Sequence, residues 1–371
     1  MRRKDFLKTA GAGAGAMALA GCGAGESATL SATAASRPDV RWRLTGSFPP
    51  TLDVLYGAGE RLSARVAELT DGHFDIRVYA AGELVPALQV MDAVQQGTVH
   101  CGISPGYYYT GKHPALAFDA AVPFGFNARQ QIAWLQHAGG LDLINSVYAD
   151  FGLITFPVSC TGGQMGGWFL EPVGSLADLT GLRMRIPGIG GEIMSRLGVT
   201  VQVLGAAEIY PALERGAIDA TEWVGPHDDE RLGFQQVAKN YYYPGWWEPG
   251  VTMSLLIQRE AYDELPASYQ SALQVACRES ISVTTAMYDA LNPSALQRLI
   301  RDDGVTVHAF SEDIMAAAMS HSMAYLEEQA ADNAEFKMVY DSWKSFRDTV
   351  FPYASGNELA YANFTFPQVG G

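Results

Sequence analysis

Two glutamates stand against tryptophans within one thirty-residue stretch, in Glu222-Trp223 and in Trp247-Glu248. Carboxylates so placed can serve as hard oxygen ligands or as a general base. Between them lies His227-Asp228-Asp229-Glu230, which follows Pro226 and precedes a helical run. Acidic residues in a first helical turn complement the macrodipole, so this cluster reads as a helix start rather than a catalytic group. Arg185 lies in the apolar run Leu182-Arg183-Met184-Arg185-Ile186-Pro187, on the same strand face as Arg183. If buried it needs an anionic partner, and if exposed it forms a surface salt bridge. Tyr107-Tyr108-Tyr109 and Tyr241-Tyr242-Tyr243 read as extended segments with rings on both faces, one face for core and the other for a cleft. Gly188-Ile189-Gly190-Gly191 starts like a dinucleotide loop, but position 193 is isoleucine, so a tight strand-to-helix turn is expected. No G-x-S-x-G or H-E-x-x-H is present, and Cys160-Thr161-Gly162-Gly163 has no histidine near it in sequence.

The elements that must position these residues follow an α/β grammar. Residues 40–45 alternate like a strand, 52–69 carry apolar residues at helical spacing, and 74–78 alternate again, which suggests a parallel start. One unit occurs twice. Residues 90–101 and 211–222 each read as a helix, a glycine stop (Gly97, Gly216) and a short strand, as two similarly built lobes would show. Ser175-Leu176-Ala177-Asp178 has the form of a capping box, and Gly181 would end that helix. After Pro266 the chain turns mostly helical, with a strand expected at 305–310. The apolar tail 351–369 cannot form a core alone and suits a second subunit.

At 371 residues the chain exceeds one typical core, so two lobes are expected. Its 25 basic and 40 acidic residues give a net charge of −15, which argues against nucleic-acid and anionic-lipid surfaces. The first 21 residues form a basic start and a short Ala/Gly run, an export signal rather than structure. Leu19-Ala20-Gly21-Cys22 resembles a lipobox, implying cleavage before a lipidated Cys22 and a flexible tether over 22–38. The Arg-Arg start is similar to a twin-arginine signal, with one register imperfect, so twin-arginine and Sec export both stay open. Cleavage removes four basic residues and one acidic one and takes the charge to −18. Cys101, Cys160 and Cys277 then read as small core residues, because three cannot all pair within one chain.

One further pattern is specific. Asp178-Leu179-Thr180-Gly181 leads to Arg185 and Pro187, then Ala212-Leu213 leads through Gly216 and Asp219 to Glu222. This resembles the extracytoplasmic solute receptors of tripartite ATP-independent periplasmic (TRAP) transporters, over residues 40–348. Glu-Trp-Val-Gly-Pro at 222–226 followed by Tyr-Tyr-Tyr-Pro-Gly-Trp-Trp-Glu at 241–248 is similar to the subgroup that takes 2-oxo or 2-hydroxy acids such as pyruvate and lactate with a cation.

The resemblance implies a two-lobed α/β periplasmic binding protein of Venus-flytrap type, with discontinuous domains and a helical C-terminal region. Lobe I would be 39–155 plus part of 226–300, lobe II 156–225 plus part of 250–310, and 311–371 the C-terminal helices and tail. It implies that Arg185 pairs with the ligand carboxylate, that Gln164 and Glu222 contact ligand and cation, and that Trp223 offers its backbone carbonyl. Glu248 completes the cation site, and Tyr108 lines the pocket. The all-oxygen set suits Na⁺ or Ca²⁺. It further implies a membrane permease as partner, a possible homodimer, and no catalysis. An exported metal-dependent enzyme acting on an oxo acid, or a receptor for another carboxylate, are the alternatives.

Overall fold

The computed structural model describes residues 37–369. The expected export signal, Cys22 and all but the end of the tether lie outside the described residues.

Eleven strands form two mixed sheets among the described residues. The first sheet takes β1 (Val40–Gly46), β2 (Phe74–Tyr79), β3 (Cys101–Ser104), β4 (Leu153–Cys160) and β10 (Thr252–Gln258), in the order β2-β1-β3-β10-β4. The second takes β5 (Gly167–Phe169), β6 (Arg183–Arg185), β7 (Thr200–Gln202), β8 (Ala220–Thr221), β9 (Asn240–Tyr243) and β11 (Thr306–Ala309), in the order β11-β9-β5-β8-β6-β7. The chain therefore leaves the first sheet after β4, returns at β10 and leaves again for β11. These are the two lobes of an α/β protein with discontinuous connectivity.

The parallel start holds: β1 pairs in parallel with β2 and β3. The returning strand β10 is antiparallel to both its neighbours and makes the sheet mixed. Alternation in β1 does what it must, burying Trp42 and Leu44 while Arg41 and Arg43 face solvent. Gly97 and Gly216 have φ of +68° and +64°, the left-handed conformation that stops a helix without a Cβ penalty.

Three local expectations are corrected. Tyr107–Tyr109 is not extended but lies in a 3₁₀ turn, Gly106–Tyr109, because Pro105 leaves β3 and turns the chain at once. Ser175 and Asp178 do form the capping box, but it opens one 3₁₀ turn, Leu176–Leu179, rather than a longer helix. The first helix begins at Leu55 rather than Leu52, because Pro49 and Pro50 keep that end in a turn.

The helix Ala267–Arg301, at 35 residues, is the longest among the described residues. It packs along β4 and the helix Leu55–Leu69, then meets the helix Pro226–Leu232. Two further helices, Glu312–Asp332 and Ala334–Ala354, follow β11. The second seats Phe336 and Trp343 against Phe118 at ring separations of 5.2 and 5.8 Å. Beyond it the chain continues helically through Ser355–Leu359 to Ala360–Val369. There Tyr361, Phe364 and Phe366 are exposed. No helix among the described residues is long and apolar enough to cross a membrane. Cys101, Cys160 and Cys277 are free and buried, as expected of core residues.

Candidate functional site

Arg185 ends β6, the strand between β8 and the edge strand β7 of the second sheet, and its side chain is 1 % exposed. Arg183, two residues earlier on the same face, is a half-exposed partner of Asp219, so the two arginines divide between the two readings open to them. The Arg185 guanidinium is used on every edge. Nε donates to the Leu204 carbonyl at 3.0 Å, Nη1 donates to a Glu222 carboxylate oxygen, and Nη2 donates to the Tyr108 hydroxyl at 3.2 Å. Its plane lies 5.0 Å from the Trp223 ring centroid, a cation–π contact. Tyr108 follows β3 of the first sheet and Arg185 ends a strand of the second, so this bond joins the two lobes.

Glu222 leaves β8 directly, with its N–H donating to the Arg185 carbonyl at 3.2 Å and its side chain 1 % exposed. Glu248 is equally buried and accepts from the Tyr107 hydroxyl at 3.4 Å. It belongs to the crossover 244–251, and Gln164 belongs to the other crossover, 161–166. The two crossovers are tied together: Gly245 N–H donates to the Gln164 carbonyl at 3.0 Å and Thr161 N–H to the Val251 carbonyl at 3.0 Å. Gln164 Nε2 donates to Thr161 Oγ1 at 3.1 Å, while its Oε1 is buried without a hydrogen-bond partner.

The charges do not balance. Two buried carboxylates meet one buried guanidinium. Burial pushes the Glu222 carboxyl up to about 7 against the pull of Arg185. Burial, together with the charge of Glu222, carries Glu248 well above the ordinary carboxylate range. Burial works most strongly against the Arg185 cation, but Glu222, Tyr108 and Tyr107 together outweigh it and raise the group. Glu222 thus shares its charge with Arg185, and Glu248 is the carboxylate left over. Excess negative charge beside an unpartnered amide oxygen is the donor set a hard cation fits.

The six residues singled out in the sequence therefore converge from both lobes and both crossovers. Trp223 adds its ring, beyond the carbonyl expected of it. Trp246 and Trp247 are packing: Trp246 stacks on Phe124 at 5.2 Å, and Trp247 covers Gly190, where a Cβ would come within 2.8 Å of its own Cβ. The Gly188–Gly191 run is thus a close-packed helix start. Tyr107 and Thr161 escaped sequence reasoning, since only the folded crossovers bring them to Glu248 and Gln164. His227–Glu230 does open a helix, but Asp228 and Asp229 are wholly buried rather than solvated. A cavity of about 770 Å³ opens behind the crossovers, lined by Gly163, Pro249, Arg278 and Asp289 among others, and includes none of the six.

Two α/β lobes joined by crossovers around a buried guanidinium define an extracytoplasmic solute-binding protein of Venus-flytrap type. Residues 45–333 match the model of the bacterial extracellular solute-binding protein family 7, DctP, and the chain belongs to that family. It is 51 % identical over 364 residues to a monocarboxylate 2-oxoacid-binding periplasmic protein of Nostoc sp., covering 98 % of this chain and 99 % of that one. A TRAP transporter solute-binding protein from Bordetella bronchiseptica superposes with a TM-score of 0.88 at 44 % identity, covering 90 % of this chain and 99 % of that one. That crystal structure is a mixed-occupancy dimer with copurified calcium and picolinate. A TRAP solute-binding protein from Pseudoalteromonas atlantica, with bound sodium and pyruvate, superposes at 0.85 with 35 % identity, covering 88 % and 99 %.

Proposed function

We propose that this protein binds a small 2-oxo or 2-hydroxy monocarboxylate together with Na⁺ or Ca²⁺ and delivers it to a TRAP membrane permease. The observation that carries the reading is the buried cluster of one guanidinium, two carboxylates and an unpartnered amide oxygen. Arg185 takes the ligand carboxylate as a charge-assisted contact, replacing the weaker Tyr108 hydroxyl on its Nη2 edge. Glu222, Glu248, Gln164 and the Trp223 carbonyl hold the cation, and the cation takes the adjacent oxo or hydroxy oxygen. Glu222, Gln164, Trp223 and Tyr108 also border the ligand. The names and ligands of the Nostoc, Bordetella and Pseudoalteromonas proteins support the class of acid and of cation.

The protein binds and releases its ligand without chemistry. Lobe I comprises 39–155 and lobe II 156–225, each completed from the later segments. Residues 1–21 direct export to the periplasm and Cys22 carries the lipid anchor. The exposed aromatics after residue 354 pair with a second copy.

Calorimetry with pyruvate, lactate and longer 2-oxo acids, each with and without calcium or sodium, tests the reading. Cation-dependent binding of at least one acid is expected, with Arg185→Ala abolishing it and the acid recovered unchanged. No binding by any 2-oxo or 2-hydroxy acid sinks the proposal, and turnover replaces it with an enzyme.

A further inference from the structure

Asp229 touches none of the six site residues by its side chain, yet it lies beneath the segment that carries two of them. Its carboxylate is 1 % exposed and takes four donors. Oδ1 accepts from the Val224 N–H at 3.3 Å and the Gly225 N–H at 3.1 Å. Oδ2 accepts from the Trp168 indole N–H at 2.9 Å and the Tyr241 hydroxyl at 2.7 Å. Trp168 of β5 and Tyr241 of β9 are register partners and stack at 4.1 Å, so the second oxygen is anchored in the middle of the sheet.

Beyond the far end of the segment 222–225, Asn292 Oδ1 accepts from the His227 N–H at 3.0 Å, and the Gly225 carbonyl accepts from the Asp229 N–H at 2.9 Å. Gly225, at the N-terminus of the seven-residue helix Pro226–Leu232, has no side chain to cap it. The near end is fixed by the Glu222 N–H to the Arg185 carbonyl, and the middle by the Met165 N–H to the Val224 carbonyl at 3.0 Å. Asp229 adds a tether on the segment itself by accepting from the Val224 and Gly225 amides, which precede its own helix. Among short side chains only a carboxylate accepts from four donors at once; an asparagine oxygen can keep the two backbone amides but cannot satisfy the Trp168 N–H.

We propose that Asp229 is a positioning residue for the cation site: its clamp on the Val224 and Gly225 amides fixes the Glu222 carboxylate and the Trp223 carbonyl opposite Glu248 and Gln164. This rests on the cation reading above. Groups that orient metal ligands from behind typically change metal affinity by about 10- to 100-fold when removed. Arg185, by contrast, keeps its backbone in β6 and its Nε on the Leu204 carbonyl, and only its Nη1 and ring contacts pass through Glu222 and Trp223.

The test compares native protein, Asp229→Ala, Asp229→Asn and Asp229→Ser at a temperature where near-ultraviolet circular dichroism shows each folded. Calcium is titrated at saturating pyruvate, pyruvate at saturating calcium, and the calcium-induced shift in melting temperature is read without pyruvate. Asp229→Ala is expected to need about tenfold more calcium or beyond, with a smaller calcium-induced shift, while pyruvate affinity at saturating calcium stays within about threefold. Asp229→Asn, which keeps the amide clamp, stays within about threefold on both axes. Equal loss of both affinities in Asp229→Ala, or a calcium requirement like the native one, overturns the proposal. So does an Asp229→Asn as impaired as Asp229→Ala. Should Asp229→Ala not fold, Asp229→Ser decides: its single hydroxyl sits too close to the backbone to hold both the Val224 and Gly225 amides, so the calcium requirement alone should rise, and an unchanged requirement refutes the clamp. A native protein that responds to neither calcium nor sodium sinks the site reading itself, whereas a calcium-responsive native protein with an equally responsive Asp229→Ala sinks only this inference.

Discussion

Asp228→Asn should stabilise the protein by an amount that grows with pH. Asp228 is wholly buried, its Oδ2 accepts from the Tyr288 hydroxyl at 2.7 Å, and its Oδ1 has no hydrogen-bond partner. Burial pushes its carboxyl up to about 8, with Asp229 and Asp53 adding to the rise and the Tyr288 hydrogen bond opposing it. The folded state therefore holds a proton that the unfolded chain, near 3.8, gives up. The sign follows: the group costs nothing below about pH 4, and the cost rises as pH climbs towards 8. At about 1.4 kcal/mol per pH unit, the cost is about 2 kcal/mol at pH 5 and about 5 kcal/mol at pH 8. Asparagine keeps an acceptor for Tyr288 and has nothing to titrate. Any fixed penalty for its amide cancels in the difference between pH values. Thermal or urea unfolding of native and Asp228→Asn protein, without ligand, at pH 5, 6.5 and 8 should show the variant gaining roughly 3 kcal/mol on the native protein across that range. A stability difference that is flat with pH, or that moves the other way, would refute the assignment of a buried, protonated Asp228.

Three other outcomes are expected. Glu248→Gln keeps an oxygen ligand but removes a charge, so calcium-dependent binding should weaken by about tenfold or more and sodium-dependent binding far less, read by calorimetry in each salt. Tyr108→Phe removes a neutral partner of a charged donor and should cost about 1 kcal/mol or less in carboxylate affinity, because the ligand itself replaces that contact. Ending the chain after residue 354 removes Tyr361, Phe364 and Phe366, and sedimentation should then show monomers at concentrations where the full chain is dimeric.

The sequence was most legible where a backbone requirement forced a residue type. Gly97 and Gly216 sit at positive φ as their helix-stop pattern required, and β1 and β2 follow their alternation. The candidate site was legible by resemblance: without it, Glu222 and Glu248 are two acids twenty-six positions apart, and Gln164 carries no local signal. What spacing could not reveal was burial. Arg183 and Arg185 share a face, but one ends against Asp219 near solvent and the other in the molecule's interior. Asp228 and Asp229 fit a helix start so well that their second property, complete enclosure by the long helix and the second sheet, left no trace in the pattern. Tyr107–Tyr109 failed for a local reason, since Pro105 ended the strand where the aromatic run suggested its continuation.

Charge counting around Arg185 also constrains which cation and which acid belong together. With Glu222 and Glu248 both ionised, the site alone carries one net negative charge. A calcium ion and a monocarboxylate bring it to neutrality, and a dicarboxylate leaves it negative again in a setting where an unpaired buried charge is expensive. Sodium with a monocarboxylate reaches neutrality only if Glu248 keeps its proton, which its burial and the neighbouring Glu222 already favour. On the proposed site, one buried glutamate with an elevated affinity for protons would let the same cluster accept either ion with the same class of anion. By the same count, calcium with a protonated Glu248 would balance a dicarboxylate, so buried charge on the proposed site couples the charge of the acid to the ion and to the Glu248 proton rather than fixing the acid alone.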